Sequence, residues 1–160
     1  MVILLHRTFP LVVHRVTPDK GGRYLVVEGS LNDRQVNLIS IYIPPTLCGS
    51  TLAILGDALT TLPKGLTLIG GDFNDIISPD LDSLGSSGLQ PRRAGGLGDW
   101  AGGFGLCDIW RLWNPLARGY THTSAAHGSR SRIDYLFLPA SDVAYVSAVL
   151  FLPGGISDHA

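Results

Sequence analysis

The sequence predicts a layered α/β sandwich, on three observations. The first 44 residues read as short β-branched strands, a single well-patterned helix follows them, and the later strands are separated by long loops rather than by helices. A doubly wound fold needs a helical crossover after nearly every strand, and this chain has too few. With 160 residues, 45% of them hydrophobic and 16% charged, one domain over 1–160 with an ample apolar core is expected.

In order along the chain, residues 2–5 and 11–16 are short apolar runs with Pro10 between them. Residues 24–27 follow the turn signal Gly21-Gly22. Asn32-Asp33 separates that strand from residues 35–43, where nearly continuous apolar character fits a strand buried on both faces. Pro44-Pro45 stops it, and an antiparallel meander is the economical topology. Leu52, Leu55, Leu59 and Leu62 recur at helical spacing, with Ser50 as the expected N-cap and Pro63 and Gly65 as the stop. Residues 66–69 make a short buried strand that runs into an acidic cluster. Residues 78–98, rich in Ser, Gly, Pro and Arg, read as a long surface loop. Residues 97–104 fit a short helix, and 133–138 and 143–152 are strand-like.

The net charge of −1 argues against a chain-wide polyanion binder. Between positions 92 and 134, however, six arginines (92, 93, 111, 118, 130 and 132) face three aspartates (99, 108 and 134), a local excess suited to phosphates or to a solvated loop. Cys48 and Cys107 have neither C-x-x-C nor zinc spacing, so two buried thiols in a reducing compartment are expected. No run approaches the roughly 20 apolar residues of a membrane span, and residues 1–5 are too short for a signal-peptide core. These features point to an intracellular chain, nuclear or cytoplasmic, with no membrane partner.

Three clusters carry the chemistry: Gly71-Asp72-Phe73-Asn74, Ser131-Arg132-Ile133-Asp134-Tyr135 and Ser157-Asp158-His159. Each lies where an apolar run meets a loop. Asp72 can hold a metal or orient a water, and Asn74 can donate to a phosphate oxygen, although an Asx turn at a strand end explains both equally well. Asp134 sits in an apolar strand, where a carboxylate is costly unless paired, with either Arg132 or His159 as partner. An Asp-His pair near a chain end is by itself more often solvated and inert. Tyr42 is a core-edge aromatic or a site residue. Asp108, Trp110, Arg111 and Trp113 form a compact segment in which Arg111 is expected to pair with Asp108 beneath a tryptophan. His6, His14, His122 and His127 show no convergent metal spacing and are expected at the surface or in the core.

Taken together and in order, these residues resemble the endonuclease/exonuclease/phosphatase superfamily, and within it the endonuclease domain of LINE-type (non-LTR) retrotransposons. The resemblance rests on Ile41-Tyr42-Ile43-Pro44, Gly71-Asp72-Phe73-Asn74, Leu106-Cys107-Asp108-Ile109-Trp110-Arg111 with Asn114-Pro115, Tyr120-Thr121 with Ser131-Arg132-Ile133-Asp134-Tyr135, and Ser157-Asp158-His159. It covers nearly the whole chain. It implies a four-layer α/β sandwich, two mostly antiparallel sheets flanked by helices. It also implies Mg²⁺- or Mn²⁺-assisted attack of water on a DNA phosphodiester by a monomer.

The resemblance assigns roles as well. Asp72 would position the water, Asn74 would steady the phosphate, His159 oriented by Asp134 would assist proton transfer, and Tyr42 would stabilise developing charge. Asp72 and Asp158 would lie at the metal. Thr121, Ser131, Arg130 and Arg132 would contact substrate.

The chain departs from the family pattern in three places. The family's N-terminal segment, with its asparagine and metal-ligand glutamate, has no counterpart, because the single glutamate, Glu28, does not match it. The chain ends one residue after His159, and Pro45 replaces a frequent asparagine. These departures imply an incomplete domain with weak or no activity. A phosphatase or lipid phosphodiesterase of the same superfamily stays open. So does a decayed domain that only binds nucleic acid through Arg92, Arg93, Arg118, Arg130 and Arg132.

Overall fold

The structure is a computed structural model that describes residues 1–85, 96–151 and 159. The described elements begin with β1 (Leu11–Pro18), β2 (Tyr24–Leu31), β3 (Arg34–Tyr42), α1 (Cys48–Thr61) and β4 (Leu66–Asp72). They continue with α2 (Pro79–Asp82), β5 (Ser83–Leu84), α3 (Leu97–Gly103), β6 (Leu106–Asp108), α4 (Ile109–Trp113), β7 (His122–Ser124), β8 (Ser129–Ser131) and β9 (Asp134–Pro139). A 3₁₀ helix, Ala140–Tyr145, follows.

Two sheets result, a six-stranded one ordered β1-β2-β3-β4-β9-β6 and a three-stranded one ordered β5-β8-β7. The meander expected at the start is present: β1, β2 and β3 pair antiparallel. Asn32 and Asp33 both take positive φ, 48° and 62°, which gives the β2–β3 hairpin a two-residue turn matched to strand twist. Through α1, β3 connects to β4 in parallel, the βαβ step that a short hairpin cannot make. β9 then pairs antiparallel with both β4 and β6.

The core lies between α1, α3 and the centre of the large sheet. Ile39, Ile41, Ile43, Leu52, Leu55, Ile69, Phe73, Tyr135 and Phe137 are all buried in one cluster. Phe73 meets Tyr135 and Phe137 edge-on, with ring centroids 5.8 and 5.3 Å apart, the geometry the ring quadrupoles favour. The predicted leucine stripe of α1 faces this core, with Leu52 and Leu55 buried and Leu59 and Leu62 partly so.

Four local expectations are corrected. Residues 2–5 form no strand, because no described strand lies alongside to pair with them. Residues 143–151 likewise form no strand: the 3₁₀ helix occupies their start, and Leu152 lies outside the described residues. Helix α1 begins two residues before Ser50, with Leu47 at the N-cap, and the Ser50 hydroxyl donates back to the Leu47 carbonyl instead of capping. The expected long loop 78–98 opens with α2 and β5. Arg92 and Arg93, with the rest of 86–95, lie outside the described residues. Cys48 is buried as expected, whereas Cys107 is only half-buried. Among the described residues no helix is long and apolar enough to cross a membrane.

Candidate active site

Strand register brings the candidate residues together. Tyr42 at the end of β3 pairs with Asp72 at the end of β4, and Asp72 pairs with Asp134 at the start of β9. Directly paired residues share a sheet face, so three adjacent strands present a tyrosine and two carboxylates in one row. Tyr42 is 44% exposed.

Gly71 makes this row possible. Its φ is +143°, and a Cβ there would stand 2.0 Å from the Ile41 carbonyl oxygen, so the position accepts only glycine without displacing β3. Phe73 then turns into the core while Asp72 and Asn74 face outward. Asn74 adopts a left-handed φ of 47°, donates its backbone N–H to Asp72 Oδ1 (2.9 Å), and gives Nδ2–H to Asp72 Oδ2 (3.1 Å) and to the Ile43 carbonyl (3.0 Å). The Asx-type turn and the site therefore use the same atoms. Burial pushes the Asp72 carboxyl up from its ordinary range. The Asn74 N–H opposes that, and the Asp134 charge adds to it.

His159 donates Nδ1–H to Asp134 Oδ2 at 2.9 Å, which selects His159 over Arg132 as the partner of Asp134. Each of these side chains is about one third exposed, 32% for His159 and 29% for Asp134. His122 forms a β-bridge with His159, and their rings lie 5.0 Å apart. A pocket of about 230 Å³ is lined by Asn74, His122, His127, Ser131 and His159.

Of the residues expected to touch substrate, Arg130 is exposed on β8. Thr121 is buried, and its Oγ1 accepts from the backbone N–H groups of Ile133 and Asp134 at 3.1 Å each, so it orders the approach to Asp134. Ser131 is buried at the floor of the pocket. Arg132 is corrected. Its side chain is 1% exposed and engages Asp82 through Nε (2.8 Å) and Nη2 (3.0 Å), with Asp108 2.6 Å from Nη1, so it meets no substrate phosphate. Arg111 is corrected as well. Its guanidinium pairs with Asp82 beside the Trp110 ring, and Asp108 instead accepts the Arg111 backbone N–H as the cap of α4. Asp158 lies outside the described residues.

Two residues at the site carry little signal in the sequence. His122 has no metal spacing, yet it neighbours His159 because the β-bridge closes a gap of 37 positions. Asp82 falls within the Ser- and Gly-rich stretch, and its one signal is Pro79 directly after Ser78, a helix-start pattern.

For a hard divalent cation the available donor is the oxygen of Asp72, whose burial and proximity to Asp134 a cation would offset. Among the described residues no group of three metal-ligating side chains converges.

Two sheets with peripheral helices, and strand ends that gather carboxylates, an amide and an imidazole, define an α/β protein of the endonuclease/exonuclease/phosphatase class. The family model described as "Endonuclease/Exonuclease/phosphatase family" matches residues 14–159, and the chain belongs to that family. Similar solved structures include the endonuclease domain of TRAS1, a telomere-specific non-LTR retrotransposon, at 23% identity and a TM-score of 0.55, covering 81% of this chain and 57% of that one. A truncated TDP2 from Caenorhabditis elegans matches at 15% identity and a TM-score of 0.53, covering 81% and 53%. A D. rerio TDP2 complexed with single-strand DNA product matches at 14% and 0.55, covering 83% and 55%. At these identities the likeness is one of fold, and the chain spans just over half the length of these structures.

Proposed function

We propose that this chain hydrolyses phosphodiester bonds in DNA with a divalent cation, as a nicking endonuclease of the non-LTR retrotransposon type. The observation that carries the reading is the Asp134–His159 hydrogen bond, 2.9 Å, set beside the Asp72–Asn74 pair on the neighbouring strand. Phosphodiester hydrolysis needs an activated water, a proton route and neutralisation of phosphate charge. Asp72 orients the water. Asn74 fixes Asp72 and presents its amide toward the phosphate. Asp134 holds His159 in the Nδ1–H tautomer, so that Nε2 faces the reacting oxygen and relays a proton. Tyr42, in register with Asp72, adds a hydroxyl donor. A divalent ion at Asp72, with Asp158 as the second candidate ligand, would supply positive charge to the phosphate oxygens when bound. DNA as the substrate is favoured by exposed Arg130 and by the fold shared with a retrotransposon endonuclease domain.

The test is nicking of supercoiled plasmid by the purified chain in Mg²⁺ or Mn²⁺, with Asp72→Ala as control and calorimetric titration of the ion in parallel. The reading expects slow, metal-dependent conversion to open circles, because few carboxylates converge, and its loss in the variant. Release of phosphate from inositol phosphates without nicking would transfer the activity to the phosphatase class. Salt-sensitive DNA binding with no cleavage would leave a binding domain.

A further inference from the structure

We propose that Asp82 is a positioning residue for the Asp134–His159 pair, acting through Arg132. Asp82 is completely buried and its carboxylate is saturated: Arg132 donates from Nε and Nη2, Arg111 from Nη2, and the Ser78 backbone N–H donates to Oδ2 at 3.1 Å. Its backbone carbonyl also accepts the Arg132 N–H at 2.8 Å. With Asp108 on Arg132, two aspartates and two arginines balance in the interior, and the Arg132 guanidinium lies over the Tyr135 ring at 4.4 Å. Burial pulls the Arg132 pKa down and the Asp82 hydrogen bonds raise it, with the net direction upward, so the group stays charged. Ions this deeply buried persist only beside opposite charge, and the fork of Arg132 on Asp82 imposes one geometry on the backbone that carries it.

That backbone is the join between the two sheets. Arg132 and Ile133 are the two residues between the end of β8 and the start of β9, and the first residue of β9 is Asp134. Main chain and side chain of Arg132 are both anchored on Asp82, and the next two N–H groups are anchored on Thr121. The position of the Asp134 carboxylate, and with it the ring of His159, follows from where Asp82 holds this join. A helix of four residues, α2, thereby sets the geometry of a pair more than 50 positions away in sequence. The inference rests on the proposed role of the Asp134–His159 pair, but its readout does not require cleavage.

The test is an imidazole nitrogen–proton NMR spectrum of His159 in the full chain, with Asp134→Ala as the reference for a lost pair. Asp82→Asn, which is isosteric, and Arg132→Lys, which keeps the charge but not the fork, are compared with Arg15→Lys, whose arginine meets Glu28 across the β1–β2 pair and lies outside the Asp82 cluster. In folded Asp82→Asn and Arg132→Lys, the hydrogen-bonded Nδ1–H signal should weaken toward the Asp134→Ala spectrum, while Arg15→Lys keeps it. An unchanged signal in folded Asp82→Asn or Arg132→Lys overturns the proposal. If neither variant folds, native-state hydrogen exchange of the wild-type chain decides. The Ser78, Arg132 and Asp134 N–H groups should open together, and an Asp134 N–H that exchanges independently of the other two refutes the proposal. A wild-type chain that nicks no DNA yet passes these tests would remove the proposed function and leave the positioning intact.

Discussion

Asp72 and Asp134 stand directly opposite one another across the β4–β9 pair. Like charges in that relation repel, and the structure offsets the repulsion on both sides, with two N–H groups of Asn74 on Asp72 and the His159 imidazole on Asp134. The half-buried row is thus held at some cost, as sites that bind charge commonly are.

That cost gives a pH dependence. Burial raises the Asp72 pKa above 3.8, so between that value and the raised one the folded chain holds more protons than the unfolded chain. The Asp72 contribution to stability is therefore greatest at acid pH and falls as pH rises through this window. Asp72→Asn lacks the titration. Its melting temperature relative to wild type should climb as pH is raised from the carboxyl range and level off above the Asp72 pKa. A difference in melting temperature that is flat across the series would contradict the burial argument.

Removing Asp134 should separate catalysis from folding. Asp134→Ala leaves His159 without the acceptor that selects its tautomer, so metal-dependent nicking should fall by about 10²–10⁴-fold. The pair is partly exposed, so stability should change by no more than about 1 kcal/mol. Single-turnover nicking and denaturant unfolding of the same sample check both halves.

Gly71→Ala should be among the most damaging small substitutions. The added methyl meets a backbone oxygen at 2.0 Å in a left-handed conformation, and neither β3 nor β4 has room to give. A loss of about 2 kcal/mol or more is expected from the combined strain and overpacking, read as a lower urea midpoint at unchanged slope.

Arg130 should act through charge alone. It is exposed on β8 while Arg132 is buried, so Arg130→Ala should weaken DNA binding evenly across sequences and reduce the salt-dependence slope by about 1. Fluorescence anisotropy against two unrelated duplexes over a salt series measures both. A change confined to one duplex would point to base contact instead.

Much of the fold was legible because it is local. The β-branched runs of β2 and β3, the leucine period of α1 and the helix at 97–103 declare themselves over a few residues. The strand–turn chemistry of Gly71, Asp72 and Asn74 was legible for the same reason, since a glycine pair, an Asx turn and a buried aromatic occur within five positions. Elements that depend on a distant neighbour carry no such local signal. The apolar segments 2–5 and 143–151 have strand composition but no described partner, and backbone pairing, not composition, makes a strand.

The site divides along the same line. Residue types and their order supply the available side chains, a set of carboxylates, an amide, a tyrosine and an imidazole at strand ends, and with that order the family. How those side chains pair depends on the folded chain. It gave Asp134 to His159, turned Arg132 inward onto Asp82, sent the Arg111 guanidinium to Asp82 rather than Asp108 and brought His122 beside His159. The physical reason is that strand register and the burial of charge are long-range quantities. Which cation meets which carboxylate depends on where two sheets join, and no short window of sequence contains that distance.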